Sequence, residues 1–207
     1  MNRLNVYKTH RNISLPKFAT KGSACFDLAF QSAGKYDYKG YNSQNKEFTR
    51  VLHNGNQIYI NPGDRVLVPT GMIFDIPEGY SVRVHARSGT ALKKGLVLIN
   101  SQGIIDSDYV EELFLLIHNA SDNAHMITSG DRLAQGELVK KEEYVLWETT
   151  DRPLIKSERV GGMGSTGVQV EILNYTTDGL KPVVTVEETK PAEQPVKRGR
   201  GRPRKVA

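Results

Sequence analysis

From residue 5 to about residue 145 the chain is cut into short apolar runs rich in Val, Ile, Leu and Tyr, separated by Gly, Pro, Asn and Asp. Runs of about five residues bounded by turn formers are the pattern of strands, not of helices. Ile58-Tyr59-Ile60 leads into the turn Asn61-Pro62-Gly63-Asp64, which is followed by Arg65-Val66-Leu67-Val68-Pro69. Tyr80-Ser81-Val82-Arg83-Val84-His85 alternates strictly, so one of its faces is expected in a core. Leu113-Phe114-Leu115-Leu116-Ile117 is apolar throughout, which predicts a strand buried on both faces, and Asn119-Ala120-Ser121-Asp122-Asn123 supplies a turn after it. Helix signals are sparse, and the best covers residues 88–94 with one or two turns. The pattern therefore predicts an all-β sandwich or barrel with little helix.

Two stretches fall outside this cadence. Residues 31–57 are polar and rich in Gly, Tyr, Asn and Lys, and read as an insertion in the form of a long hairpin. After Gly167, residues 168–173 suit a last strand. An acidic, Pro-containing linker over residues 171–196 then carries Glu187, Glu188, Pro191, Glu193 and Pro195, and is expected to be disordered because it cannot build a core. The chain thus divides into a β domain over residues 1–170, that linker, and a basic segment over residues 197–205.

Composition sharpens the division. The net charge is +5, but residues 197–205 contain six Lys or Arg and no acid, so subtracting six leaves −1 for the remainder. The basicity belongs to the tail, which suggests a polyanionic partner for that segment alone. No apolar run approaches the length of a membrane span, and the N-terminus lacks a signal-peptide core, so no membrane partner is expected. The single cysteine, Cys25, cannot form an internal disulfide. A cytoplasmic or other intracellular compartment follows as the expectation.

Four segments combine glycine, hydroxyl, carboxylate and cation beyond what packing requires. Arg87-Ser88-Gly89, at the end of one strand and the start of the expected helix, offers amides, a hydroxyl and a guanidinium to phosphate oxygens. Gly103-Ile104-Ile105-Asp106-Ser107-Asp108-Tyr109 sets two carboxylates beside an aromatic ring; in an extended chain Asp106 and Asp108 share a face, and one of them suffices as general base. Gly130-Asp131-Arg132-Leu133-Ala134-Gln135 is a turn into a strand, where Gln135 could face a ligand or Asp131 and Arg132 could simply pair. Arg159-Val160-Gly161-Gly162-Met163-Gly164-Ser165-Thr166-Gly167 is a glycine-rich arm over residues 158–167, without the lysine of a P-loop or the context of a Rossmann turn. Each segment also has a bland explanation as a capped turn, a polar turn, an ion pair or a flexible linker.

Taken in order, and with Gly22-Ser23-Ala24-Cys25-Phe26-Asp27-Leu28 ahead of them, these segments resemble the five motifs of the trimeric dUTP pyrophosphatase (dUTPase) family over about residues 21–167. The resemblance implies a dUTPase-like β-barrel or jelly-roll subunit, a homotrimer, and active sites assembled from different chains. It implies hydrolysis of dUTP to dUMP and pyrophosphate, which limits uracil in DNA. Asp106 would be the general base for attack on the α-phosphorus, and Tyr109 would pack on the deoxyribose. Ser88 and Gln135 would hold phosphate oxygens, with Arg87 and Gly89 beside them. Asn100 and Gly103 would present fixed groups to uracil, and Asp27 would place Mg2+ through water. Arg159, Met163, Gly164, Ser165 and Thr166 would close the site. Met163 stands where the family usually has an aromatic residue. Arg159 lies one residue off the usual arginine, with Glu158 in register instead; Val110-Glu111-Glu112 and Cys25 replace usual glycines.

Residues 197–205 resemble an AT-hook, with Arg200, Gly201, Arg202 and Pro203 as its core and Lys197, Arg198, Arg204 and Lys205 as flanking cations. The resemblance implies insertion into the A·T-rich minor groove of double-stranded DNA. Two rival readings stand beside the hydrolase: a catalytically weakened DNA-binding or regulatory protein on the same fold, and a dCTP deaminase. The second is disfavoured because Gly-Thr-Ala-Leu after Ser88 offers no carboxylate to aim at the base.

Overall fold

In the computed structural model the described residues are 3–154, 156 and 157. The first of two compact units, Met1–Leu146, holds all the described regular structure. Thirteen strands and one short helix follow in the order β1 (Asn5–Lys8), β2 (Phe26–Ala29), β3 (Asp37–Tyr41), β4 (Glu47–Val51), β5 (Gln57–Ile60), β6 (Arg65–Pro69), β7 (Met72–Asp75), β8 (Tyr80–Ala86), α1 (Ser88–Lys94), β9 (Leu96–Leu98), β10 (Gln102–Ile105), β11 (Phe114–Asn119), β12 (His125–Thr128) and β13 (Arg132–Lys140). The all-β class with one short helix is the one the sequence predicts. Among the described residues no helix is long and apolar enough to cross a membrane.

Two sheets carry the architecture. One has the order β10-β8-β13-β2 and the other the order β4-β3-β6-β11-β9, with the pairs β1-β7 and β12-β5 completing the unit. Alternation decides what is inside: Val66 and Val68 of β6 and Leu115 and Ile117 of β11 are buried with Leu28, Phe30, Ile58, Ile60, Val82 and Leu96. In β13, Gly136 lets the Phe26 ring lie against the backbone, since a Cβ there would meet Phe26 Cε2 at 2.6 Å. Residues 31–57 do contain a hairpin, β3 with β4, and β3 also pairs with β6 through Gly40 and Tyr41, so the segment is built into the sheet.

The strand at residues 113–117 departs from expectation. Leu115 and Ile117 point inward, whereas Phe114 and Leu116 are 37% and 38% exposed, so only one face of β11 is buried within the chain. An apolar run does not distinguish a strand covered by its own chain from one awaiting cover by another.

Among the described residues Ser81 Oγ is buried without a hydrogen-bond partner, whereas Asn119 and Asp64 are well paired. Asn119 donates to the Ile60 and Asn123 carbonyls at 3.0 and 2.7 Å and accepts from the Ser121 amide and hydroxyl at 3.0 and 2.8 Å. Asp64 accepts from Arg50 at 2.8 Å and from the Asn61 amide at 3.1 Å. The second unit, Trp147–Ala207, has no strand or helix among its described residues, and Asp151 N–H donates to Thr149 Oγ1 at 3.1 Å. The proposed last strand at 168–173, the linker, Arg159, Met163, Gly164, Ser165 and Thr166, and the basic residues from Lys197 to Lys205 all lie outside the described residues.

Candidate active site

β8 is the spine of the site. It pairs with β13 on one side and β10 on the other, and its end delivers the chain directly into α1. Arg87 is the extended residue ahead of α1, and no side chain caps the helix. The Thr90 and Ala91 amides close back on the Arg87 carbonyl at 3.1 and 3.0 Å. The amides of Ser88 and Gly89 belong to the first turn, where an intrahelical acceptor is lacking. Gly95 ends the helix at φ 63°, and its N–H donates to Ala91.

Beside this turn, Asp27 on β2 receives two guanidinium groups. Arg87 Nε lies 2.9 Å from Oδ1 and Arg132 Nη1 2.9 Å from Oδ2, while Arg87 Nη1 donates to the Arg132 carbonyl at 3.1 Å. Two cations thus meet one carboxylate, which leaves an excess positive charge. Gln135 Nε2 donates to the Ala86 carbonyl at 3.0 Å, fixing the amide beside Ser88. Asp27, Arg87, Ser88, Gly89 and Gln135 line one cleft of about 440 Å³ together with Cys25. Cationic groups, a hydroxyl and helix-start amides form a surface suited to phosphate oxygens.

A carboxylate has about four lone-pair positions, and the two arginines occupy two of them at Asp27. The remaining positions can accept hydrogen bonds from metal-bound water, which fits an outer-sphere role. Direct ligation would require displacing a guanidinium. The simple pairing of Asp131 with Arg132 does not occur: Asp131 accepts from the Thr128 amide at 3.0 Å, and Arg132 turns to Asp27. Nothing in the local sequence indicates this, because it depends on the β2–β13 register, which sets Gln135 opposite Asp27.

The second half of the site lies elsewhere on the chain. Asn100, Gly103, Ile105, Asp106, Tyr109 and Phe114 line a cleft of about 340 Å³. Asn100 lies in the turn between β9 and β10 and Gly103 within β10; β9 pairs with β11 and β10 with β8, so the chain passes between the two sheets here. Asp106 is exposed. It closes a turn, with Tyr109 N–H donating to its carbonyl at 3.2 Å, so Asp106 and Asp108 do not share the face of an extended strand. The Tyr109 hydroxyl donates to the Glu112 carbonyl at 3.0 Å, which holds the ring at the cleft's edge.

Asp106 is not brought to Ser88 and Gln135 within one chain. Ile105 is opposite Val82 on β8, whereas Gln135 is opposite His85 and Ser88 lies beyond the strand's end. At about 3.3 Å per residue along a strand and about 4.8 Å between strands, the separation is on the order of 15 Å.

Next to the phosphate-suited cleft the strands place a cluster the sequence does not announce. Cys25, His85 and Glu137 have ligand atoms all within 4.8 Å of one another, and His85 Nε2 is 3.0 Å from Glu137 Oε1. Burial, and then the Glu137 carboxylate, raise the Cys25 thiol above its ordinary pKa.

With this geometry in place, comparison with known proteins is decisive. The dUTPase family model matches residues 52–167, which is more than half of the chain. The chain belongs to the dUTPase family. The deoxyuridine 5'-triphosphate nucleotidohydrolase of Rhizobium rhizogenes is 35% identical over 158 residues, covering 76% of this chain and 88% of the relative. The crystal structure of dUTPase from Streptococcus mutans aligns with TM-score 0.51 at 28% identity, covering 70% of this chain and 99% of that one. A Staphylococcus bacteriophage 80alpha dUTPase mutant with dUpNHpp shares the fold with TM-score 0.62 at 22% identity, covering 81% and 100% of the two chains.

Proposed function

We propose that this dUTPase-family protein hydrolyses dUTP to dUMP and pyrophosphate at sites shared between copies of the chain. The observation that carries the reading is the division of the chemistry along β8, with a cationic cleft at Arg87, Ser88 and Gln135 and the Asp106 carboxylate at the strand's other end. A site of this kind is completed when Asp106 of one copy meets the cationic cleft of another, which fits a homotrimer.

In that arrangement Asp106 takes a proton from water as the water oxygen bonds to the α-phosphorus. The bond from that phosphorus to the bridging oxygen breaks, and pyrophosphate leaves with the electron pair. Ser88 and Gln135 hold phosphate oxygens, the Arg87–Asp27–Arg132 cluster supplies positive field, and Tyr109 packs on deoxyribose. Catalysis of this type requires positioning and charge neutralisation more than covalent help. Magnesium chelated by the triphosphate, and oriented through water by Asp27, would supply further neutralisation there. The glycine-rich arm from Arg159 through Met163, Gly164, Ser165 and Thr166 covers the bound nucleotide. Uracil is selected at Asn100 and Gly103, where cytosine reverses both donor and acceptor. A free Cys25 fits an intracellular, reducing setting.

The test is pyrophosphate release from dUTP against dCTP, TTP and UTP. Rapid release from dUTP alone is expected, with Asp106→Asn lowering kcat by roughly 10³-fold or more, as loss of a general base does. Absence of release from dUTP by the intact chain would overturn the proposal.

The tail has a separate role in this reading. Arg200, Gly201, Arg202 and Pro203, flanked by Lys197, Arg198, Arg204 and Lys205, bind A·T-rich duplex through the minor groove. Deleting residues after Pro195 should abolish retention on such DNA and leave dUTP turnover unchanged; equal retention would remove the claim.

A further inference from the structure

We propose that Cys25, His85 and Glu137 form a binding site for a thiophilic divalent cation of the zinc class, separate from the magnesium that accompanies the nucleotide.

The strand register builds the site. Gly136 on β13 stands opposite Phe26 on β2 and opposite Val84 on β8, and its side of the sheet is buried. The neighbouring Glu137 therefore projects from the other face, together with Cys25 just ahead of β2 and His85 on β8. Cys25 and Glu137 are cross-strand neighbours, and His85 is diagonal to Glu137, a separation that long side chains bridge. The outcome is three different ligand types with all their donor atoms within 4.8 Å.

The spacing suits a tetrahedral ion. With Zn–N at about 2.0 Å and Zn–S at about 2.3 Å, ligand atoms around such an ion sit roughly 3.3–3.7 Å apart. His85 Nε2 and Glu137 Oε1 are already 3.0 Å apart, so an ion replaces the proton they share with little movement of the strands. The other imidazole nitrogen, Nδ1, is 3.4 Å from the Gln102 amide. Turning that amide by half a rotation presents its oxygen to Nδ1–H, the outer contact that orients a metal-bound histidine.

Ligand chemistry sets the class of ion. Magnesium demands oxygen donors and an octahedral shell, whereas thiolate with imidazole and carboxylate selects zinc and its neighbours. Binding releases the Cys25 thiol proton to solvent, and the dication offsets the two adjacent negative charges of thiolate and Glu137. Three protein ligands leave one position for water, and Cys25 lines the same cleft as Ser88 and Gln135. An ion here ties β2 to β8 across β13, directly beside the cationic cleft.

The experiment uses the full chain without nucleotide and with Mg2+ in excess. Zn2+ is titrated against a chromophoric chelator, and Co2+ serves as the spectroscopic probe. One equivalent of Zn2+ is expected, together with a Co2+ spectrum that shows a thiolate charge-transfer band and tetrahedral visible bands and is displaced by Zn2+. Cys25→Ser should abolish the charge-transfer band and weaken Zn2+ by more than roughly 100-fold, beyond the loss an outer contact causes. His85→Gln and Glu137→Gln should each weaken binding, and His10→Gln, far from the cluster in sequence and pairing, should not. Because Cys25 is the only cysteine, Zn2+ should also protect the whole thiol content of the wild-type chain from alkylation, a readout that needs no variant to fold. Equal Zn2+ affinity in wild type and Cys25→Ser, a Co2+ spectrum without the thiolate band, or unprotected alkylation would overturn the site.

Discussion

Asp27 shows how a partly exposed ion pair can matter more for binding than for stability. Arg132 is 55% exposed, so its bridge to Asp27 contributes at most about 1 kcal/mol to folding. Its charge nevertheless lies 2.9 Å from Asp27, which lines the cleft proposed to receive the triphosphate. Arg132→Met should leave the melting temperature within a few degrees of wild type while raising KM for dUTP several-fold, as steady-state kinetics and a thermal melt together would reveal. Asn119 is the opposite case. It is fully buried and its amide is engaged by both donors and acceptors, so Asn119→Ala should destabilise by about 2–4 kcal/mol, measured by denaturant unfolding. The roles proposed for Asp106 and Gln135 could be named from the linear sequence because their motifs are local. The partnership of Asp27 with Arg132, and the gathering of Cys25, His85 and Glu137, could not, since each depends on pairing between residues more than fifty positions apart.

Among the elements, β6, β8 and α1 were legible because alternation and turn formers bound them closely. β11 was legible as a strand but not in its orientation. Its outward side chains, Phe114 and Leu116, form with Leu67 an apolar surface on the wall of the Tyr109 cleft. Apolar surface of this kind favours cover by another chain. Leu116→Asp should therefore shift the protein to a smaller species in sedimentation and reduce turnover, with the circular dichroism of the β unit retained. The αL residue at the end of α1 gives a further check. A Cβ at Gly95 would lie 2.9 Å from Ser121 Cβ at φ 63°, so Gly95→Val should cost about 1–3 kcal/mol and disturb the arginine–serine turn at the helix's other end.

At the level of the whole molecule, a cationic cleft and a carboxylate at opposite ends of one strand would, in the proposed shared site, make catalysis a property of the assembly. Mixing Asp106→Asn chains with Gln135→Ala chains under conditions of subunit exchange should restore activity that neither has alone. With each site drawing those two residues from different copies, random one-to-one assembly leaves roughly a quarter of sites intact. A site confined to one chain would give no recovery. Five ordered motifs identified the family from sequence, but the sequence carries no measure of distance, and it is distance along β8 that separates the two halves.

That rigid spacing has a practical corollary for how such an enzyme behaves when scarce. A strand held in the middle of a four-stranded sheet cannot bend its ends together, so under the proposed shared site an isolated copy would be inert however well it folds. Specific activity should consequently collapse on dilution below the association threshold while the far-ultraviolet spectrum is unchanged, and return on reconcentration. The cell's abundance of the polypeptide would then act as a threshold switch on nucleotide sanitation.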